Sequence, residues 1–206
     1  SLHPFIGHPS YKEISHLPLN ERLSIMRDPA FKQKILNESP SFREDLQKAA
    51  KEQKSNKTKE EIKAEAEIGK KLISNYETQF ILSDPPNYEP TREDSIAYLA
   101  ELRSQSEEEV IYDELIKDDG KSLIYACFTP YENHKLKFVE TFYKLKSSVA
   151  GGSDGGAHCG LICDASMPTT NLSHWARDRS AGNKIPLELI IRKQTKDTAE
   201  TYGLFD

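Results

Sequence analysis

The chain has 206 residues, 33 of them acidic and 28 basic, for a net charge of −5. The two signs are interspersed, so there is no concentrated basic face of the kind a nucleic acid needs. No run of roughly 18 apolar residues is available to cross a bilayer, and the first residues have neither the basic start nor the apolar stretch of a signal peptide.

The mean hydropathy of −0.67 hides two textures. Positions 43–71 are dominated by Lys, Glu, Gln and Ala, whereas Leu123 to Leu204 is much more apolar. Three cysteines, Cys127, Cys159 and Cys163, leave an odd thiol in any pairing and are read as reduced, which suits a soluble cytoplasmic protein.

The first forty residues read as short helices punctuated by Pro4, Pro9, Pro18, Pro29 and Pro40. Leu19 to Arg27 carries Leu19, Leu23 and Met26 at helical spacing. Asp28-Pro29 then restarts a helix, with Asp28 as N-cap and Pro29 in its first turn. Positions 41–76 read as a charged helical insertion with a break near Ser55, after which Thr58 and Glu61 form a capping box. Its mixed charges mark a solvated helix pair.

From Thr78 the pattern turns to short apolar runs alternating with amphipathic helices. Strands are predicted at 78–82, at 122–128 and at 148–151. The second is a nearly continuous apolar run of the type that a parallel strand buried on both faces shows. Helices are predicted at 92–103, 107–117, 135–146, 172–181 and 186–202, with Gly203 as the final cap. Alternating strands and helices imply an α/β fold with a parallel sheet. A closed barrel needs about eight strands, so about three imply a small open sheet or the last part of a larger barrel.

In parallel α/β folds the functional groups gather where strands end. The segment Gly151-Gly-Ser-Asp-Gly-Gly-Ala-His158 is the best such place, since five of the ten glycines fall between 151 and 160. Asp154 and His158 within it can each move a proton or bind a metal. A tight turn with Asp154 bonded to local amides is the plainer alternative. Likewise His158 suits either a contact with substrate or a packing role, and Cys159 and Cys163 read as packed thiols. Arg177 and Arg179 could clamp a substrate carboxylate, or pair with neighbours such as Asp178. His3, His8 and His16 have no carboxylate partner at ligand spacing and read as structural. Trp175 reads as core.

A wider set of residues accompanies this segment. Ser153-Asp-Gly-Gly-Ala-His158 is followed by Ile162-Cys-Asp-Ala-Ser-Met-Pro-Thr169, His174-Trp-Ala-Arg-Asp-Arg179, Pro186-Leu-Glu188 and Thr198-Ala-Glu-Thr-Tyr-Gly-Leu204. In order and spacing these resemble the C-terminal barrel region of the N-acyl-D-amino-acid deacylase (D-aminoacylase-like) group of amidohydrolases. Leu2-His-Pro-Phe5, Leu17-Pro18, Arg27-Asp-Pro29 and Asp84-Pro-Pro-Asn-Tyr-Glu-Pro90 are similar to upstream parts of the same group, and the resemblance is weakest over 43–71.

The resemblance implies a partial (β/α) barrel of the metal-dependent hydrolase (TIM-barrel) kind. Its expected parts are short packing helices at 1–40, the helical insertion at 41–76 and C-terminal β/α units at 77–206. It implies zinc or another divalent metal acidifying a water that attacks the amide carbonyl of an N-acyl amino acid. Asp154 would contact that metal, take the water's proton and deliver it to the departing amine, with His158, Arg177 and Arg179 towards the substrate. The group's other metal ligands come from earlier strands, beginning with a His-x-His pair. The chain's six histidines contain no such pair, so the 206 residues are expected to be a fragment, inactive alone and without a firmly held metal. A cyclic-amide hydrolase of the same superfamily and a non-catalytic interaction module are the rival readings, and an oligomer is compatible with either.

Overall fold

The computed structural model describes residues 3–41, 58, 60–61, 63–64, 67, 74–127, 131, 133–150, 153 and 164–205. These residues fall in two compact units, Leu2–Phe128 and Thr129–Asp206.

In the first unit, a 3-10 turn at Pro4–Gly7 leads into α1 (Pro9–Ile14), α2 (Leu19–Met26) and α3 (Pro29–Leu36). The prolines start helices as the sequence requires. The Asp28 carboxylate accepts the Ala30 amide proton at 2.9 Å, and Pro29, which has no amide hydrogen to satisfy, takes the first helical position. Of the 41–76 segment little is described, but Thr58 and Glu61 do exchange the two bonds of a capping box, at 2.7 and 3.2 Å.

After β1 (Gln79–Ile81) come α4 (Ile96–Arg103) and α5 (Glu107–Leu115), each opened by a serine. The Ser95 hydroxyl accepts from the Tyr98 amide and the Ser106 hydroxyl from the Glu109 amide, both at 3.1 Å. β2 (Ile124–Ala126) follows. Phe5, Met26, Ile35, Ile96, Val110 and Tyr112 form the core, with the Phe5 and Tyr112 rings edge to face at 5.4 Å. The Tyr112 hydroxyl donates to the Met26 carbonyl at 2.7 Å, so its one polar atom is satisfied inside.

The two strands overturn the expected fold class. They pair with each other and run antiparallel, Phe80 opposite Tyr125, in a sheet of two strands. The described residues are otherwise mainly helical, and 148–150 form no strand. This is not a partial (β/α) barrel. The run at 122–128 was expected to be buried on both faces, but Leu123 is 55 % exposed and Ile124 to Ala126 are only half-buried. A short apolar run does not specify the direction of its partner. Here α4 and α5 fold against one another between the strands, and the chain returns beside β1 as a short ladder, extended by Leu82 donating to the Leu123 carbonyl and Cys127 to that of Thr78.

The second unit holds α6 (Lys137–Lys144), a short helix α7 (Met167–Thr170), a π-helix α8 (Asn171–Asp178), α9 (Leu187–Gln194) and α10 (Lys196–Thr201). Trp175, Ile185 and Ile190 are its buried centre, flanked by Leu136, Val139, Tyr143 and Leu189. The single helix expected over 186–202 is broken at Thr195, whose backbone leaves the helical region and whose hydroxyl donates to the Ile191 carbonyl at 2.8 Å.

Candidate functional site

Asp154 and His158, the residues on which the sequence places the chemistry, lie outside the described residues, as do Cys159 and Cys163. The chain on either side of them is described, and it is held.

On the upstream side the anchor is Lys193. The residue is 2 % exposed; its ammonium donates to the Leu145 carbonyl at 2.7 Å and to that of Ser148, and lies 3.3 Å from the Ser148 hydroxyl. A buried ammonium needs acceptors. Here they are backbone carbonyls beyond the end of α6, so the charge closes the turn that leads to Ala150. The Thr198 hydroxyl lies 3.4 Å from the Ala150 carbonyl and 2.7 Å from that of Lys193. The backbone immediately before Gly151 is therefore tied to α9 and α10.

On the downstream side Asp164–Ser166 forms a 3-10 turn running into α7 and α8. The π register ends with the Arg179 amide bonded to the His174 carbonyl at 2.8 Å. π-helical turns are rare and recur at functional sites. This one carries His174, Trp175 and Arg177.

Arg177 and Arg179 have different surroundings. Arg177 is exposed, and its Nε and Nη2 each donate to one oxygen of Asp178 at 2.7 Å. That contact pulls the Asp178 carboxyl below its usual range and raises the guanidinium's. Arg179 is 3 % exposed. Its Nη1 donates to Glu140 Oε2 at 3.2 Å and to the Asn183 carbonyl at 2.6 Å, and its guanidinium carbon sits 4.3 Å from the Trp175 ring centroid. A Cβ at position 182 would stand 2.7 Å from Arg179 Nη2, so Gly182 is part of the seat. Within the described structure, then, Arg177 keeps a carboxylate at the surface and Arg179 holds α6 to the end of α8.

Glu140 completes this arrangement and was not singled out by sequence reasoning. It is 1 % exposed and accepts from Lys144, Lys137 and Asn183 at 2.8, 3.0 and 3.2 Å as well as from Arg179. These donors, Lys144 foremost, hold its carboxyl far below the ordinary carboxylate range. Lys193 left a faint signal: it occupies the position three after Ile190, on the face that α9 buries. Glu140 left none, because lysines three before and four after it also describe a solvated helix.

Among the described residues no group of three or more His, Cys, Asp and Glu is placed to hold a metal ion. They do not make the donor set that the resemblance implies. No helix among them is long and apolar enough to cross a membrane. No protein-family model, curated protein or solved structure matches the chain.

Proposed function

We propose that this chain is part of an amidohydrolase that cleaves a linear C–N bond, removing the acyl group from an N-acyl amino acid. The residue set running from Ser153 to Leu204 carries this reading. It is supported by what the described members of that set do. Trp175 packs the core, Arg179 binds Glu140, and Thr198 reaches both the Lys193 and the Ala150 carbonyl. They are scaffold, and they flank the segment that contains Asp154.

In this reading Asp154 is the proton carrier. As a carboxylate it takes a proton from the attacking water as the water's oxygen bonds to the amide carbon. As the acid it returns that proton to the nitrogen when the C–N bond breaks, and ends as a carboxylate again. The metal that such enzymes use would supply acidification of the water, with ligands drawn from outside the described residues. The 206 residues by themselves are expected to be inactive. A reducing cytoplasmic location fits Cys127, a buried thiol whose ionisation burial pushes up to about 11.

The test is release of free amino acid from a panel of N-acetyl amino acids by the natural gene product that carries these residues, assayed with added zinc. Asp154→Asn keeps the side chain's size and removes its proton chemistry. It should lower kcat by about 10²- to 10⁴-fold with the fold intact. Near-normal turnover in that variant, or no hydrolysis of any N-acyl amino acid by the unaltered protein, would overturn the proposal.

A further inference from the structure

Two histidines in the first unit are packed in its interior. His3 and His8 are each 6 % exposed, and both pack near the fully buried Phe5, with ring centroids 6.1 and 5.3 Å from it. His3 also stands edge-on to Tyr11 at 4.6 Å. The Nδ1 atom of each imidazole is buried without a hydrogen-bond partner. In a neutral ring an unpartnered Nδ1 is at most a wasted acceptor. In a protonated ring it is an N–H on a cation, and burying that costs far more.

We propose that His3 and His8 form a proton-operated latch: proton uptake by the buried His3 imidazole releases the segment Pro4–Ile14 from the core of its unit. What the segment covers gives the latch its effect. Phe5 lies against Tyr112 and Ile14 is buried in the same core, so release uncovers apolar surface belonging to α5.

The charged groups around the two rings give them different parts. Around His3 the described influences oppose a proton: burial first, then Arg22 of α2 and His8. Together they lower the His3 value to about 4. Tyr11, the other titratable side chain against it, is itself kept neutral by burial. His8 is lowered by burial too, but Glu38 beyond α3, Glu108 of α5 and the Pro4 and Phe5 carbonyls favour its charged form. A charge on either ring repels a proton on the other while the segment stays docked. Undocking relieves both.

Because the docked His3 binds protons more weakly than the released one, acid favours release. The docked state is at full strength above the ordinary imidazole value and is lost as pH falls from there towards the docked value. Ser10 bonded to Glu38, the Gly7 carbonyl bonded to the Ser41 amide at 2.8 Å, and the Lys12 ammonium bonded to the Ser41 hydroxyl are among the contacts that must also open.

Hydrogen exchange of the whole chain, followed by NMR from about pH 7.5 to about pH 4.5, tests this. The amides of Ile6, His8 and Lys12, bonded within the segment, should lose protection by roughly tenfold per pH unit once the ordinary imidazole value is passed. The His3 ring resonances should titrate in step, while the Val110 amide in α5 stays protected. His3→Phe should shrink the loss to the smaller part that His8 alone drives. The proposal fails if the His3 ring titrates with those amides still protected, if they lose protection only together with Val110, or if His3→Phe leaves the loss unchanged. The first two comparisons need no variant.

Discussion

Glu140 shows how much one buried charge can organise. One of its oxygens takes both lysines of α6 and the Asn183 amide; the other takes Arg179, which in turn lies over Trp175. Glu140→Gln leaves the Arg179 guanidinium buried without a counter-charge, a loss of about 3–5 kcal/mol for a broken buried pair. A urea titration followed by tryptophan fluorescence measures it. The pH dependence has a definite sign. The Glu140 carboxyl is far more acidic folded than unfolded, so its contribution is complete above its ordinary value of 4.5 and is lost as pH falls below that. The unaltered protein should weaken on acidification through this range, and Glu140→Gln should lack this part of the slope. The lysine spacing around Glu140 is plain in the sequence. That the carboxylate is buried depends on Arg179 and Asn183 arriving from another helix and loop.

Asp28 was legible as a cap, and its carboxylate accepts the amide proton of Ala30; Ser95 and Ser106 accept in the same way from residues three further on, but the helix expected from Arg92 begins only at Ile96, because Ser95 and not Thr91 caps it. Ser106→Ala should lower stability by about 1 kcal/mol, since it frees the Glu109 amide at the head of α5 while the acidic first turn of Glu107 to Glu109 remains. Thermal unfolding by circular dichroism reads that difference, and an unchanged midpoint would mean that water caps the helix as well as the serine. Breaks and registers were less legible. Thr195 interrupts the 187–201 run because its hydroxyl and that of Thr198 take up carbonyls of α9, a choice that threonine offers but does not impose. The π register of α8 ends where the Arg179 side chain reaches Glu140.

The whole molecule comprises two units with separate cores, and only the second contains tryptophan. Fluorescence of Trp175, 5 % exposed between Ile185 and Ile190, therefore reads that unit directly. Ile190→Ala, at a position with no exposed surface, should destabilise the unit by about 2–5 kcal/mol and move the fluorescence midpoint accordingly. A shift no larger than that of a surface substitution would show that the site collapses around the cavity.

What the sequence by itself determined is local. Proline and capping residues set helix starts, and the apolar spacing over Leu19 to Arg27 named Leu23 and Met26 as an inward face, although Leu19 in the same pattern is exposed. Each rests on residues a few positions apart, where chain geometry fixes who meets whom. The tertiary structure alone decided that β1 and β2 run antiparallel, and that Arg179 and Lys193 are interior cations. Strand direction depends on how the forty-odd residues between Phe80 and Tyr125 fold back. Whether a charge can be buried depends largely on partners distant in the chain: Glu140 for Arg179, and the Leu145 and Ser148 carbonyls for Lys193, to which the local Asp197 at 4.0 Å adds a carboxylate. Composition sees neither, because pairing and desolvation are properties of the assembled interior.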